Sequence, residues 1–210
     1  MNHKLRSSIT ITLCALLLPC LPALASEDES VEFMPAVSAY YGPEAYQVQL
    51  GMGYWNKDQS EHGQFYLSHF EANDVLIFDG QSLGEKRYSS SRLGLEATGF
   101  KKGQAFEGGA FVYRNKSQAN IDRYGVGFAV SLGKMLGDRT RLLAGVELMP
   151  EYLSSDWDAD ALLEYSLKAG ASFRLSKSIE AGISYRFGAT LDSPSADHCR
   201  TFLAGFSFRL

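Results

Sequence analysis

Hydrophobic and polar residues alternate along most of the chain with a period of two, the pattern of β-strands that have one apolar face. The clearest run lies between Arg123 and Gly133, where glycines, an alanine and a serine alternate with Tyr124, Val126, Phe128, Val130 and Leu132. Similar runs predict strands at 31–40, 46–54, 62–71, 88–99, 104–114, 123–133, 141–148, 163–175, 179–187 and 201–210.

Short and long connections alternate between these strands. Short turns are predicted at 100–103, 134–138 and 176–178, and long polar loops at 73–87, 115–120, 154–160 and 191–199. Such alternation is typical of outer-membrane barrels, which have short periplasmic turns and longer external loops. The sequence therefore predicts an all-β fold, an antiparallel transmembrane β-barrel of about ten strands, or of eight if residues 31–40 do not span the membrane.

The polar face of the strands is mainly Gly and Ser with sparse charges of both signs. A soluble lipocalin-like barrel would expose this face to water, where Lys, Glu and Thr are expected instead. Small residues fit the inner wall of a narrow membrane barrel. A three-residue turn at 176–178 places Arg174 opposite Glu180, and the two are expected to neutralise each other there. The charges expected in the lumen are Arg92, Glu96, Arg123, Glu147, Glu164, Lys168, Arg174, Glu180 and Arg186.

Aromatic residues lie near the ends of the predicted strands, where membrane barrels carry interfacial girdles. The expected girdle residues are Tyr40, Tyr41, Tyr54, Trp55, Tyr113, Tyr124, Tyr152 and Trp157.

The N-terminus has the pattern of a secretory signal peptide. Lys4 and Arg6 precede an apolar run, and an Ala-x-Ala motif predicts cleavage between Ala25 and Ser26. Residues 1–25 are therefore expected to be removed, which leaves 26–210 as a single domain. Cleavage also removes two of the three cysteines, and with Cys199 as the single cysteine of 26–210 no internal disulfide is expected.

Composition excludes several classes of protein. The 210 residues carry a formal net charge of −4, with 45% hydrophobic and 21% charged residues and 20 Gly. These values do not fit a disordered chain, a disulfide-rich miniprotein or a basic nucleic-acid binder. The mean hydropathy of −0.14 is that of a soluble protein, but alternating lipid-facing and lumen-facing residues would give the same average.

The chain ends in an amphipathic strand with Phe202, Phe206, Phe208 and Leu210 on its apolar face. This ending looks like the terminal signal that the outer-membrane assembly machinery reads in bacterial barrels. The segment from Glu147 to Phe187 is similar to the YfaZ family of small outer-membrane proteins. Its aromatic and proline strand end, Ser/Asp loop, tight turn and Gly-Tyr-Arg strand carry the resemblance, which implies an outer-membrane barrel and brings no known activity.

Few residues suggest catalysis or metal binding. His62 and His69 have opposite parity on one strand, so they are expected to face opposite ways. His198 lies in a loop with Asp192, Ser193, Ser195, Asp197 and Cys199, the best candidate for a catalytic group at the outer rim. Asp156, Asp158 and Asp160 resemble the start of a calcium loop but lack its later glycine and glutamate.

The predicted function is a non-enzymatic outer-membrane barrel, acting as a structural or surface-recognition barrel or as a narrow porin-like channel. The alternatives are an outer-membrane hydrolase or acyltransferase that uses a rim histidine, and a soluble periplasmic lipocalin-like binding barrel. Expected partners are outer-membrane lipids, lipopolysaccharide and the assembly machinery. A monomer without cofactor, metal or nucleic acid is expected.

Overall fold

The alternating segments form one closed sheet of antiparallel strands. The structure, a computed structural model, describes residues 32–55, 61–78, 81–117, 121–155, 162–191 and 196–210. The long strands in these ranges are β1 (Glu32–Tyr41), β2 (Ala45–Trp55), β3 (Glu61–Phe78), β4 (Gln81–Lys101), β5 (Gln104–Ser117), β6 (Ile121–Leu136), β7 (Thr140–Pro150), β8 (Leu163–Arg174), β9 (Ile179–Leu191) and β10 (Ala196–Arg209).

Each long strand pairs with the next one along the chain, and β10 pairs with β1 to close the barrel. After β7 the chain makes a single 3-10 turn (Glu151–Leu153) and a two-residue strand (Ser154–Ser155), which pairs with β6. The ten-stranded barrel is therefore confirmed, and the eight-stranded alternative is wrong because β1 pairs along its length with β2 and over Ala36–Tyr41 with β10.

The tight turn between β8 and β9 has the predicted register. The Leu175 N–H donates to the Ile179 carbonyl oxygen at 2.9 Å, and Arg174 lies opposite Glu180. This turn, with those at 102–103 and 137–139, defines what we call the turn end of the barrel. We call the opposite end the external end.

In three predicted loops, 73–87, 115–120 and 191–199, the residues that the structure describes lie in strands. Residues 73–78 and 81–87 extend β3 and β4, 115–117 belong to β5, and 196–199 begin β10. These segments lack alternation because they continue past the apolar band, where neither face needs to be hydrophobic, but their backbones still pair across the hairpin. The end of β3 also pairs directly with β10, where Phe78 faces Ala196 and Ile77 faces Asp197.

Apolar side chains cover the outside of the barrel, and the inside holds the buried charges together with several aromatic rings. Leu50, Val130, Ile183 and Phe202 point outward and are 55%, 56%, 63% and 70% exposed. The buried polar or charged residues include Arg92, Arg123, Glu147, Glu164 and Arg186. A lipocalin-like soluble barrel has the reverse arrangement, so that alternative is wrong, and the fold is that of an outer-membrane β-barrel.

The girdle residues divide between the two faces. Tyr41, Tyr124 and Tyr152 are exposed on the outside, as predicted. Tyr113 is buried in the lumen and Tyr40 lines a lumen cavity, so these two predictions are wrong. Both tyrosines follow the parity of their strands, which proximity to a strand end alone does not reveal. In the described ranges, no helix has the length and hydrophobicity needed to cross a membrane.

Candidate functional site in the barrel interior

Glu147 lies at the centre of a buried group of charges. Its Oε2 accepts hydrogen bonds from Arg92 Nη1 at 2.6 Å and from Arg186 Nη2 at 2.9 Å, while Lys168 Nζ contacts its Oε1. We call these four residues the Glu147 cluster. They come from β4, β7, β8 and β9, so their ion pairs cross the lumen instead of following one strand pair.

Aromatic rings and hydroxyls hold the two arginines in place. Arg92 lies over the Phe111 ring at 4.6 Å, and Arg186 lies over the Phe70 ring at 4.4 Å. Their Nε atoms donate to Ser90 Oγ at 3.0 Å and to Ser166 Oγ at 3.1 Å. Stacking and hydrogen bonding fix the planar guanidinium groups and reduce the cost of desolvating them.

A second carboxylate lies deeper towards the external end. Glu164, only 1% exposed, accepts hydrogen bonds at Oε1 from Tyr88 OH at 2.8 Å and Asn115 Nδ2 at 2.9 Å. Arg123 Nη1 lies 3.8 Å from Glu164 Oε2 and donates to Thr190 Oγ1 at 3.1 Å. We call Tyr88, Asn115, Arg123 and Glu164 the Glu164 cluster.

Bulky side chains fill the lumen between the Glu147 cluster and the Glu164 cluster. Phe111, Tyr113 and Met149 form one buried group, and Phe70 and Tyr88 belong to another that includes Cys199 and Leu203. Glycines in the wall make room for the rings: a Cβ added at Gly127 would lie 2.5 Å from the Phe111 ring. Among the described residues, the lumen is therefore filled from the Glu147 cluster to the Glu164 cluster.

A polar cavity of about 280 Å³ lies between the Glu147 cluster and the turn end. Arg141 donates to Glu107 Oε1 at 2.6 Å on its wall, and lies 3.6 Å from Glu180. Arg209 lies 3.9 Å from the same Glu180 carboxylate. The exposed residues 176–178 border the cavity, so it opens at the turn end.

All nine charges expected in the lumen occupy inward positions. Arg92, Glu147, Lys168 and Arg186 form the Glu147 cluster, Arg123 and Glu164 belong to the Glu164 cluster, and Glu96, Arg174 and Glu180 line the cavity. Glu107, Arg141 and Arg209 also line the cavity; they are not among the charges predicted there, although their parity with the wall glycines indicates it. Glu180 pairs with Arg141 and Arg209 and forms no ion pair with Arg174, so the neutralisation expected across the turn is wrong.

The two histidines of β3 face opposite ways, as predicted. His62 lines the cavity, whereas His69 is on the outer surface, where its Nδ1 lies 2.9 Å from Ser91 Oγ. Asp156, Asp158, Asp160, Asp192, Ser193 and Ser195 lie outside the described residues, and so does the side chain of His198. Within the described part of the chain, no three His, Cys, Asp or Glu residues are grouped to hold a metal ion.

The apolar face of β10 points outward along its length. Phe202, Phe206, Phe208 and Leu210 are all exposed on the outer surface, and the Leu210 N–H donates to the Pro35 carbonyl oxygen at 2.9 Å. The last residue is thus paired to β1. The expected cleavage site at Ala25 and Ser26 lies outside the described residues.

Solved structures similar to this chain are membrane barrels. A designed transmembrane β-barrel matches with 11% identity and a TM-score of 0.36, covering 85% of this chain and 94% of its own. OmpT of Vibrio cholerae matches with 10% identity and a TM-score of 0.36, and the match covers 83% of this chain and 64% of OmpT. The β-domain of the Bordetella autotransporter BrkA matches with 12% identity and a TM-score of 0.41, and the match covers 87% of this chain and 99% of that domain. No protein-family model matches the chain. No curated protein matches it either.

Proposed function

We propose that this protein is a YfaZ-like integral barrel of the bacterial outer membrane that does not conduct solutes as folded and acts through its external surface. The filled lumen between the Glu147 and Glu164 clusters carries this proposal. A ten-stranded barrel is close to the size at which side chains fill the interior, far from the 16 or more strands of water-filled porins. The buried ion pairs then serve to hold the barrel wall together.

Charged groups on the outer surface support a surface role. Above the apolar band, Arg114 binds Asp122 through two hydrogen bonds of 2.9 Å, and Lys116 lies 3.9 Å from the same carboxylate. Exposed cations at this height suit contact with the anionic headgroups of lipopolysaccharide. We propose lipopolysaccharide and outer-membrane lipids as the partners of this surface, and a monomer as the functional unit.

We also propose that residues 1–25 direct export, and that the assembly machinery recognises β10 through Phe202, Phe206, Phe208 and Leu210. Their outward positions support this role, because an assembly factor can reach them before the barrel enters the lipid.

A narrow channel is the second candidate, favoured by the polar cavity that opens at the turn end. The inner end of this cavity is formed by side chains, which can change rotamer and open a path. A channel would require the Glu147 cluster to open a path through the layer above it.

Planar-bilayer recording distinguishes these two functions. The refolded wild-type barrel, verified by heat-modifiable gel mobility, is expected to give no conductance steps. The double variant Arg92→Ala/Phe111→Ala removes a stacked pair from the filled layer without changing an outward residue, and it is expected to conduct. Recurring steps from the wild type would overturn the proposal and favour the channel.

A further inference from the structure

Ser91, His69 and Glu71 form a nucleophile–base–acid arrangement on the outer surface. Ser91 lies directly across the β3–β4 pair from His69, and its Oγ is 2.9 Å from His69 Nδ1. The other ring nitrogen, Nε2, is 3.8 Å from Glu71 Oε2. A hydroxyl within hydrogen-bond reach of one nitrogen of an imidazole, with a carboxylate near the other nitrogen, resembles the arrangement that activates serine nucleophiles.

The carboxylate of this group is itself held in place. Glu71 Oε2 accepts a hydrogen bond from Arg87 Nη2 at 2.5 Å and one from Tyr46 OH at 3.4 Å. The ring of Tyr46 lies 5.9 Å from that of His69 and stacks on Tyr41 at 6.3 Å. Side chains from β1, β2, β3 and β4 therefore converge on this one patch, with the serine and histidine accessible from outside.

The position of the patch relative to the apolar band of the barrel indicates its substrate. Directly below His69 and Ser91, the cross-strand pair Leu67 and Leu93 points outward and is 54% and 38% exposed. Above them the outward residues become polar or charged, with Glu71 and Arg87. The patch thus lies at the boundary between hydrocarbon and headgroups, which is where the ester bonds of a lipid are found.

We infer that this patch hydrolyses carboxylic esters of acyl lipids in the outer leaflet, with Ser91 as nucleophile, His69 as general base and Glu71 as the residue that orients His69. This inference rests on the membrane placement proposed above and departs from the sequence-based expectation of a non-enzymatic barrel. The sequence pattern singles out His69 but not Ser91, because only the register of β3 against β4 brings Ser91 beside it.

The reaction takes two steps that balance with water as the second reactant. His69 Nδ1 removes the Ser91 hydroxyl proton as Oγ attacks the ester carbonyl, and the tetrahedral intermediate collapses when the alcohol leaves with that proton. Water then attacks the acyl-Ser91 ester and gives one proton to His69. The fatty acid leaves, Ser91 Oγ regains the proton, and the enzyme returns to its starting state.

The test uses the full barrel refolded in detergent micelles or vesicles, with each variant checked for the heat-modifiable folded band. Release of fatty acid is measured from phospholipid vesicles, from lipopolysaccharide and from a p-nitrophenyl ester, so that the three arms identify the acyl source. Labelling by a fluorophosphonate, followed by peptide mass spectrometry, reports the nucleophile directly.

Wild type is expected to release fatty acid and to be labelled at Ser91. Ser91→Ala should abolish both, and His69→Gln should reduce release by about 100-fold or more. Glu71→Gln should reduce release less, with labelling slowed but not lost. Ser89→Ala, which removes the neighbouring outward hydroxyl on the same strand, is the matched control and should retain wild-type activity.

The inference is overturned by a folded wild type that releases no fatty acid in any arm, or by activity that survives in Ser91→Ala. Loss of activity in Ser89→Ala with Ser91→Ala unaffected would also overturn it. These outcomes are independent of the bilayer recordings, because a barrel that conducts can still be tested for hydrolysis, and a non-conducting barrel can prove inactive.

Discussion

At the scale of single residues, Glu147 is the centre of the buried ion pairs in the lumen. Three cations surround this one buried carboxylate, and within the described residues Arg92 Nη2 has no hydrogen-bond partner. Removing one member of a buried ion pair leaves the others desolvated and uncompensated, which costs more than the pair contributes. Loss of the Glu147 carboxylate is therefore expected to leave the other three charges of the Glu147 cluster uncompensated.

Glu147→Gln is expected to lower the free energy of unfolding by about 3 to 5 kcal/mol, because it leaves three buried cations without their carboxylate. Urea titration in detergent micelles, followed by loss of the heat-modifiable band, measures the change. Asp122→Asn breaks an exposed pair on the outer surface and should cost much less. Equal losses in the two variants would show that the Glu147 cluster does not stabilise the lumen.

Parity along each strand was enough to predict which charges point inward, but not which of them meet. Arg174 and Glu180 were placed correctly opposite each other, yet Glu180 pairs with arginines of β7 and β10. Which inward side chains come within reach depends on strand tilt, stagger and barrel curvature, and none of these appears in local alternation. The contact between His69 and Ser91 on the outer surface depends on the register of β3 against β4, which local alternation also does not show.

At the scale of elements, strand number was predictable and strand length was not. β3 and β4 contain 18 and 21 residues, well beyond the apolar alternation that predicted them. Alternation reports only the part of a strand that has lipid on one side. The external part is held by backbone pairing, which leaves no pattern in the sequence when both faces meet water.

The last strand offers a test at this scale. Phe208→Ala/Leu210→Ala is expected to reduce the amount of barrel assembled in the outer membrane of cells, while leaving refolding in detergent near the wild-type yield. Both side chains are exposed on the outer face, so the folded barrel loses little packing. Phe65→Ala/Leu67→Ala, at exposed outward positions of β3, is the matched control and should assemble normally. Equal assembly of the two double variants would contradict recognition of β10.

At the scale of the whole molecule, the distribution of apolar residues defines the surroundings that the barrel requires. Each of the ten long strands exposes at least one large hydrophobic side chain among its described residues. The interior holds the buried charges. In water such a surface would aggregate. In a bilayer it is the stable arrangement, which explains how an average hydropathy near that of soluble proteins belongs to a membrane barrel.

Val130→Arg tests this placement. Val130 points outward in the middle of β6 and is 56% exposed, so a soluble barrel would tolerate the change. In lipid vesicles the substitution is expected to cost about 2 to 4 kcal/mol of folding free energy, measured by urea unfolding. Tyr152→Arg, in the exposed turn after β7, should have little effect. A harmless Val130→Arg would place this face outside the hydrocarbon.

The direct pairing of β3 with β10 gives the barrel a taper. The β1–β2 hairpin ends at residues 42–44, and beyond it the described wall continues through the other eight long strands, joined where Phe78 meets Ala196. An eight-stranded ring is just wide enough for side chains to fill, whereas ten strands enclose more space. The described wall is therefore wide at the turn end and narrower towards the external end, where side chains fill it. If the barrel is non-conducting, as proposed, a solute that enters the cavity leaves by the same mouth.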